Sequence, residues 1–536
     1  MVVSTTKRNP VRPRPDAPAL VALLLGAAGV GYRLVLTLLT VPASNSDEAT
    51  FGLAALHIAA GGERPVFLYG QRYMGVLESY LAAPLVGWAG PSWPVLRLPL
   101  LALFAIFLWL AYRLTRRLFS PWLAVAVVGL LALGSERVVR DQLTAVGGRP
   151  EVKPAVLAML LIAVALGGRR IRHHWLATGA FGLLAGLALW SDWLIAPYLL
   201  VAAVVLAVAV PRDLIGWPGV LLVAGFLAGI APVVKDNLVA PPGQDSLSVF
   251  REISTKEGVA PSLAERLRGG LLEGVPLASG LCPMDGCARW AQWFGVLYPV
   301  LLVAAAALGL IAYRRAADHA ARVRAVAILA LVAGAVLTLL AYVRSPLAAT
   351  DPLGNARYLS VLQISLPAVL WPLWLAAAHA LRATTGWTAR LGGTAAAVVL
   401  AGLTAATVAG TVAFLAGVPG VRDEERTARR LADTVRDAGL HEVYGDYWTC
   451  NRLIFNTGET VACGVLDGAL TPGQNRYPAY WQRVARAERP GYVVAVGSPA
   501  ERTLRRLLGD RADAAMVAEV GGSRVYHPDR AVRPWR

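Results

Sequence analysis

Charged residues are scarce in this sequence: only 16% of its 536 residues are Asp, Glu, Lys or Arg. A soluble chain of this length carries about a quarter charged residues and divides into several domains. Here 56% of the residues are hydrophobic and the mean hydropathy is +0.53. This composition excludes an ordinary soluble enzyme and predicts a polytopic α-helical membrane protein.

Several catalytic patterns are also missing. The sequence contains no phosphate-cradling G-x-x-x-x-G-K-[ST] segment, no H-E-x-x-H metal motif and no G-x-S-x-G nucleophile elbow. The net charge of +17 suggests nucleic-acid binding at first sight, but much of the Arg excess lies in short loops between apolar runs. The positive-inside rule accounts for such a distribution, so we expect no nucleic-acid partner.

Apolar runs of roughly 20 residues predict about eleven membrane spans. They lie near 18–41, 95–112, 119–134, 153–167, 175–191, 195–210, 217–234, 293–312, 325–342, 359–379 and 393–416. Residues 1–17 form a basic tail, and no small-residue cleavage site follows a short apolar core. We therefore expect the first run to be a retained span rather than a signal peptide.

The distribution of Lys and Arg predicts the orientation of these spans. With a cytoplasmic N-terminus every inside loop is short and basic, as in the loop that carries Arg113, Arg116 and Arg117. The outside segments are longer and mixed in sign, and include a first outer loop over 42–94 and another loop over 235–292. We thus expect a multi-pass cell-membrane protein with a membrane domain over 18–416 and residues 417–536 outside the cytoplasm.

Cysteine is scarce, and all four cysteines fall in predicted outside segments. An even number on one side of a membrane indicates two disulfides in an oxidising compartment. The favoured pairs are Cys282 with Cys287 and Cys450 with Cys463. A zinc site fits less well, because no C-x-x-C pair or His cluster accompanies these residues.

The segment after residue 417 changes character. Its pattern predicts an amphipathic helix, then short β-type runs that alternate with helices: Arg422–Leu440, Val443–Tyr444, Thr460–Val465, 478–488, Tyr492–Val496 and 499–509. This alternation is typical of a small α/β domain. The turn Gly445-Asp446-Tyr447-Trp448 carries either a functional group or, as we favour, core aromatics packed beneath a loop.

Two adjacent carboxylates, Asp47 and Glu48, follow the first apolar run. Ionisable acids at the mouth of a membrane helix are costly unless they lie in water or in a polar cleft. They are therefore our candidates for catalytic residues. The alternative is a purely structural role at the start of the next helix, with Ser46 or Asp47 as its N-cap.

Other polar residues on the predicted outer face are candidates for substrate binding. They are Tyr69, Gln71, Arg72, Tyr73, Glu78, Arg149, Glu151, Asp192, Arg357 and Tyr358. Asp192 lies between two apolar runs with almost no loop, so it is either functional or paired with Arg137, Arg140 or Arg149. Arg357 enters a span from outside, and could hold a phosphate in its guanidinium fork or extend to the membrane interface.

Acids and arginines at one membrane face suit a lipid whose phosphate head lies at the interface. A carboxylate would deprotonate an acceptor hydroxyl, and cations would stabilise the departing lipid phosphate. A divalent cation held by acids is an open alternative to metal-free base chemistry. The competing hypothesis is a transporter or flippase of a lipid-linked or small polar substrate, which we disfavour because the sequence shows no convincing internal repeat.

The segments S-D-E-A-T-F-G-L-A-A-L-H-I and Y-G-Q-R-Y-M-G-V-L-E-S-Y-L, within 45–81, resemble the first outer loop of GT-C type membrane glycosyltransferases. These include protein O-mannosyltransferases, lipid A aminoarabinose transferases and the RgtA/B/C/D-like branch. The weaker matches G-G-R-P-E at 147–151 and N-A-R-Y-L at 355–359 occur in the same order along the chain. The chain departs from the resemblance at Met74-Gly75-Val76-Leu77, where relatives often carry Lys-Pro-Pro.

The resemblance implies a sugar transfer at the outer face. The donor would be a polyprenyl-phosphate-linked sugar, the acceptor a hydroxyl of a glycan, lipid or protein, and the anomeric centre would invert. Asp47 would be the general base and Glu48 its neighbour in support. Because the lysine is missing, Arg72, Arg149 or Arg357 would have to contact the donor phosphate.

Overall fold

The computed structural model describes residues 16–254, 261–380 and 386–535. The predicted basic tail over 1–17 lies outside this part of the chain except for its last two residues. Up to residue 437 the described chain is mainly helical. Its α-helices are α1 (Ala17–Leu38), α2 (Ser46–Ala59), α3 (Leu77–Ala89), α4 (Trp93–Leu118), α5 (Pro121–Ala132), α6 (Glu136–Leu143), α7 (Val152–Gly167), α8 (His174–Ser191), α9 (Ala196–Ala209), α10 (Trp217–Val239), α11 (Ser246–Ser254), α12 (Leu263–Leu267), α13 (Val275–Ala278), α14 (Trp293–Arg314), α15 (His319–Arg344), α16 (Leu347–Thr350), α17 (Pro352–Asn355), α18 (Leu366–Ala380) and α19 (Trp387–Asp437).

Short helical segments of other types connect these helices. The 3₁₀ segments are Trp193–Ile195, Asp213–Ile215, Arg289–Ala291 and Ala356–Ser365, and Arg268–Gly274 is a π-helix. Each of the eleven predicted apolar runs coincides with a helix. Within the described residues, seven helices are long and apolar enough to cross a membrane, and an eighth span results if the bent pair α5–α6 is counted. The polytopic helical fold is thus confirmed.

The run predicted as a span near 119–134 is a 12-residue helix, α5, which is followed by a bend of 90° into α6. The fully buried Arg33 of α1 stabilises this break. Its guanidinium donates to the carbonyl oxygens of Ala132 at 2.7 Å and Leu133 at 3.0 Å, and to Gln142 Oε1 at 2.6 Å. A cation at a helix C-terminus offsets the negative end of the helix dipole and pairs the unsatisfied carbonyls.

The helical bundle has two ends. The end where α1 and α15 finish and α4 and α7 begin is called the upper end. It carries α2, α3, α6 and a hairpin of β1 (Phe67–Leu68) and β2 (Gln71–Gly75). The lower end is the one where α1 and α15 begin.

The C-terminal part is a small α/β unit. Its strands are β3 (Glu442–Gly445), β4 (Ala462–Val465), β5 (Gly491–Ala495), β6 (Met516–Val520) and β7 (Ser523–Tyr526), and its helices are α20 (Tyr447–Asn456), α21 (Pro478–Arg486), α22 (Pro499–Leu508) and α23 (Ala512–Ala515), with a 3₁₀ segment at Gly509–Arg511. The sheet order is β4-β3-β5-β7-β6; β3 is parallel to β4 and β5, and β7 is antiparallel to β5 and β6. The sequence predicted β3, β4 and β5 but not the hairpin β6–β7.

Disulfides join Cys282 to Cys287 and Cys450 to Cys463, the pairs that the sequence favours. The 51-residue helix α19 crosses the predicted boundary at 417 without interruption, and so unites the last apolar run with the predicted amphipathic helix. One hydrophobic core holds residues of both parts, including Phe51 and Trp93 beside Tyr444 and Phe455. The α/β unit therefore packs directly on the predicted first outer loop, 42–94, at the upper end.

Candidate active site

Helix α2 presents Asp47 at the upper end of the bundle. The N-cap of α2 is Asn45, whose side chain accepts a hydrogen bond from the Glu48 backbone N–H at 2.9 Å. Our prediction of Ser46 or Asp47 as the N-cap is therefore wrong. Asn is as good a cap as Asp or Ser, and its use leaves the Asp47 carboxylate free for contacts outside the helix.

The Asp47 carboxylate faces the α/β unit. Arg476 Nη2 lies 2.7 Å from Asp47 Oδ1, and the Tyr447 hydroxyl donates to the same oxygen. Burial, reinforced by the bond to Asp47, raises the pKa of Tyr447 to about 12, so this phenol stays a donor at neutral pH. The Asp47 side chain keeps 32% of its surface exposed while that of Arg476 keeps 5%. Since the described contacts engage Oδ1, Oδ2 is available to a substrate.

Glu48 has a different environment from its neighbour. Arg97 of α4 holds both of its carboxylate oxygens, at 2.7 Å from Nε and 2.6 Å from Nη2, and both side chains are fully buried. A bidentate pair of this kind satisfies the carboxylate completely. The structure therefore gives Glu48 a packing role, and we no longer propose it as a catalytic residue.

The hairpin β1–β2 spreads its polar residues over three contacts. The Tyr69 hydroxyl donates to Glu63 Oε2 at 2.6 Å, which places it in a cluster with His57 rather than beside Asp47. With the Gln71 side-chain amide oriented so that its oxygen faces the guanidinium, that oxygen accepts from Arg476 Nη1 at 3.2 Å. Arg72 donates to the Gln244 carbonyl oxygen at 3.1 Å and lies 3.9 Å from Asp236. Of these three predicted residues, Gln71 reaches the Asp47 network through its side chain, and Tyr69 does so through its carbonyl oxygen, which accepts from Arg476 Nη1 at 3.4 Å.

Glu78 and Glu151 form a buried carboxyl pair. The Gly147 N–H donates to Glu78 at 3.2 Å and the Gly148 N–H donates to Glu151 at 3.1 Å. Burial, followed by the charge of Glu151 and a hydrogen bond between the two side chains, raises the pKa of Glu78 well above its ordinary value. Two buried carboxylates in contact cannot both ionise easily, so Glu78 holds its proton more tightly than an exposed Glu does.

Asp192 lies beside this pair, in the turn between α8 and the segment Trp193–Ile195. It accepts a hydrogen bond from the Leu194 N–H at 2.8 Å, and burial raises its pKa to about 7. The predicted ion pair is not formed among the described residues. Instead Arg149 pairs with Asp141 at 3.1 Å, Arg140 pairs with Glu136 at 2.9 Å, and Arg137 lies 3.9 Å from Asp141.

Arg357 differs from the other predicted cations in having no carboxylate within 4.0 Å among the described residues. Its guanidinium lies 5.0 Å from the centre of the Tyr358 ring, and Nη2 donates to the Tyr358 hydroxyl at 3.1 Å. Its Nε is buried and has no hydrogen-bond partner in the described part of the chain. Arg149 and Arg72 have acidic neighbours, so Arg357 is the cation with spare capacity for an anion.

Tyr73 connects the two halves of the site. Burial raises its pKa, and the charges of Arg476, Arg357 and Asp47 also act on it. Arg357 likewise interacts electrostatically with Asp47 and Asp141. Asp47, Arg476 and Arg357, which are far apart in the sequence, are therefore all near enough to Tyr73 to act on it electrostatically. Arg476, however, was missed by the sequence analysis. Tyr447 had a signal in the Gly445–Trp448 turn, but we assigned it to packing.

The sequence is compatible both with a divalent cation held by acids and with metal-free base chemistry. Among the described residues no three His, Cys, Asp or Glu side chains come together as a metal site. Binding of a divalent cation therefore stays a prediction that rests on the acids alone.

Solved structures share this architecture. ArnT from Cupriavidus metallidurans bound to undecaprenyl phosphate superposes with a TM-score of 0.60 at 13% identity, covering 94% of this chain and 97% of that one. Its apo state gives 0.55 at 15% identity, with 96% and 98% covered. The apo oligosaccharyltransferase of Archaeoglobus fulgidus gives 0.50 at 14% identity, with 89% and 69% covered. At these identities the likeness is one of fold, and this chain therefore shares the fold of ArnT. No family model and no curated protein matches the sequence.

Proposed function

We propose that this chain with the GT-C fold is a membrane glycosyltransferase that moves a sugar from a polyprenyl-phosphate carrier to an acceptor hydroxyl. The observation that carries the proposal is the arrangement around Tyr73. A partly exposed carboxylate, Asp47, and an arginine without an acidic partner, Arg357, lie close enough for both to act on the Tyr73 hydroxyl. A base and an anion-binding cation across one polar space are what a displacement at a phosphate-linked sugar requires.

The reaction we propose is a single displacement. Asp47 Oδ2 accepts the proton of the acceptor hydroxyl while that oxygen bonds to the anomeric carbon. The bond from the anomeric carbon to the phosphate oxygen breaks, and the lipid phosphate departs with the electron pair. Attack from the face opposite the leaving group inverts the anomeric centre. Arg357 stabilises the charge that develops on the phosphate, because a guanidinium fork matches phosphate oxygens.

The lipid nature of the donor has independent support. One solved structure with this fold is that of ArnT bound to undecaprenyl phosphate. In the present chain Arg357 lies in the segment Pro352–Ala380, which is long and apolar enough to cross a membrane. A phosphate at Arg357 would thus lie beside apolar helices along which a polyprenyl chain can extend. The acceptor, whether glycan, lipid or protein, would enter from the Asp47 side.

The buried acids have a separate role in this scheme. Glu78 and Asp192, whose pKa values are raised, would bind sugar hydroxyl groups, since a protonated carboxyl both donates and accepts hydrogen bonds, and Glu151 would accept hydrogen bonds beside them. Arg149, held by Asp141, would line the same region without contacting the leaving phosphate.

A two-part measurement tests the proposal on the purified full-length protein. In the first part, undecaprenyl phosphate is titrated and its binding is measured by the shift in thermal unfolding. In the second part, a panel of undecaprenyl-phosphate sugars is supplied as donors together with membrane-extract acceptors, and the release of undecaprenyl phosphate is measured. Asp47→Asn is expected to lower transfer about 10²–10⁴-fold while it retains undecaprenyl phosphate binding. Arg357→Ala is expected to weaken that binding.

The exposed Arg289 offers a matched control, because Arg289→Ala removes a cation without an assigned contact to the site. Full transfer by Asp47→Asn would overturn the base assignment. Sugar-lipid flux across liposomes without transfer would instead favour the transporter hypothesis, in which Asp47 and Asp192 act as relays.

A further inference from the structure

A large groove lies at the lower end of the bundle, far along the helices from Asp47. This groove has a volume of about 1140 Å³ and runs between α1, α4, α7 and the start of α15. Its walls are apolar, with Ala22 and Gly26 of α1 on one side and Leu108 of α4 and Val164 of α7 on the other. We call it the lower groove.

Five arginines surround the mouth of the lower groove. They are Arg113, Arg116, Arg117, Arg170 and Arg324. They come from the end of α4, the loop after α7 and the first turns of α15, so the fold and not the local sequence brings them together. Arg113, Arg170 and Arg324 are all close enough to Arg117 to repel it electrostatically.

Acidic residues offset only part of this charge. Asp16 pairs with Arg116 at 2.7 Å. Asp318 also lines the groove, but its carboxylate caps α15 by accepting from the Ala321 N–H at 2.6 Å. An arginine at a membrane boundary can extend singly into water. Four that converge on one apolar-walled groove repel each other, and an anion among them would relieve that repulsion.

Aromatic residues place the mouth of the groove at a membrane interface. The Arg113 guanidinium lies 5.4 Å from the centre of the Trp109 ring, and Arg116 donates to the Tyr112 hydroxyl at 3.3 Å. Trp109 is 56% exposed. Exposed Trp and Tyr near the ends of spans are typical of the headgroup level of a bilayer.

We propose that the lower groove binds an anionic diacyl phospholipid, with its phosphate among the five arginines and its acyl chains along the apolar wall of α1. Basic pockets between membrane helices hold anionic headgroups in this way. The N-terminal residues 1–15 do not suit the site by charge, because they carry Lys7, Arg8, Arg12 and Arg14 and no acid. The proposal is independent of the transfer reaction at the upper end.

The test uses native mass spectrometry of the full-length protein in neutral detergent. Dioleoyl phosphatidylglycerol is the probe and dioleoyl phosphatidylcholine the zwitterionic comparison. We expect phosphatidylglycerol to bind about tenfold more tightly, and Arg117→Ala/Arg324→Ala to lose about tenfold in its affinity. The charge-conserving Arg117→Lys/Arg324→Lys should retain most of it.

The matched control is Arg314→Ala/Arg315→Ala, which removes two exposed arginines near the same end, outside the groove. This variant should bind phosphatidylglycerol like the parent chain. Thermal unfolding in phosphatidylcholine checks that each variant is folded. The proposal would be overturned by equal affinity for the two lipids or by an equal loss of phosphatidylglycerol affinity in both alanine pairs. It would also be overturned if inorganic phosphate alone displaced the lipid, if the groove preferred undecaprenyl phosphate, or if a lipid-free dimer covered the groove.

Discussion

Asp47 is held in position by a residue that comes 429 positions later in the sequence. Arg476 contacts Asp47 directly and also contacts the Tyr447 hydroxyl and the Gln71 amide. Misplacement of a catalytic group by about 1 Å can cost about 10²-fold in rate. We therefore expect Arg476→Gln to lower kcat for sugar transfer about 10–100-fold with little change in the donor KM, measured from initial rates.

A simple structural role for Arg476 predicts a different result, namely a loss of folded protein with a normal rate per folded molecule. Arg476→Lys distinguishes the two, because it restores a cation and should recover part of kcat. The surface pair of Arg483 with Glu442 at 2.9 Å provides a control in the same unit. Arg483→Gln should leave kcat unchanged, and a normal kcat in Arg476→Gln would disprove the positioning role.

The Glu48–Arg97 pair makes its contribution through stability. Both side chains are fully buried, and removal of one partner of such a pair leaves an uncompensated charge that costs about 3–5 kcal/mol. We expect Glu48→Gln to lower the free energy of unfolding by about that amount, measured by denaturation in detergent. Asp423→Asn, which breaks an exposed pair with Arg426, should change it by less than about 1 kcal/mol.

The double variant Glu48→Leu/Arg97→Leu separates the pair from the packing around it. Replacement of both partners by apolar residues is often nearly neutral, so this variant should recover much of the lost stability. If the double variant is as unstable as Glu48→Gln, the cost does not come from an unpaired charge.

The sequence could predict that the adjacent acids Asp47 and Glu48 matter, but not that Asp47 is partly exposed while Glu48 is buried in an ion pair. Adjacent residues on a helix point about 100° apart, so one carboxylate faces Arg476 and the other faces Arg97. Both partners are distant in the chain, and no local pattern identifies them. The sequence could not distinguish among the three candidate cations Arg72, Arg149 and Arg357, since the pairing of Arg72 and Arg149 with acids is a property of the folded chain.

At the scale of elements, glycines allow three segments to meet at the candidate site. A Cβ on Gly148 would lie 2.2 Å from the Asp192 Cβ, and the φ of Gly148 is +71°. A Cβ on Gly75 of β2 would lie 2.3 Å from the Trp190 carbonyl oxygen. The loop after α6, strand β2 and the end of α8 therefore approach one another as closely as backbones can. This contact brings Asp192 to the Glu78–Glu151 pair.

Gly148→Ala is expected to reduce both stability and transfer. A non-glycine residue at positive φ costs about 1–3 kcal/mol, and the clash would move Asp192 as well. Thermal unfolding and the transfer rate per folded molecule are the two measurements. Gly62→Ala is the control, because its added Cβ would meet nothing within 4 Å. Equal effects of the two substitutions would show that close approach at Gly148 does not matter.

Hydropathy predicts where apolar helices lie but not how they break. The eleven predicted runs all became helices, whereas the 90° bend between α5 and α6 depends on Arg33 of another helix. Similarly, β3, β4 and β5 consist mostly of buried residues, as strands covered on both faces do. The hairpin β6–β7 has largely exposed or half-exposed residues in β6, so its pattern is weak.

At the scale of the whole molecule, the α/β unit is joined to the predicted first outer loop, 42–94, by buried contacts. Glu425 of α19 accepts from the Ser44 N–H at 2.7 Å and from Arg452 at 3.1 Å. Phe455 of α20 packs against Gly52 of α2, where an added Cβ would lie 2.4 Å from its ring. The predicted domain boundary at 417 therefore separates two patterns of sequence, but the catalytic network that we propose extends across it.

A cluster of titratable residues links the same two parts. His57 of α2 lies 2.8 Å from Glu459, and the Tyr480 hydroxyl donates to Glu459 at 2.6 Å. Partial burial opposes ionisation of Glu459, but the hydrogen bonds from His57 and Tyr480 outweigh it and lower its pKa. Glu63 faces the same cluster through the Tyr69 hydroxyl, 2.6 Å away, and its pKa is also lowered despite partial burial.

A carboxyl whose pKa is lower in the folded than in the unfolded state binds fewer protons when folded. Its stabilising contribution is complete above the unfolded value of about 4.3 for Glu and is lost as the pH falls through the folded value. We expect the unfolding temperature to fall as the pH drops from about 5 to about 3, and Glu459→Gln to make this fall smaller while it destabilises the chain at pH 7. Glu442→Gln, at the surface pair with Arg483, should leave the pH dependence as it is. Parallel curves for the parent chain and Glu459→Gln would mean that the link between the α/β unit and the first outer loop does not depend on the charge of Glu459.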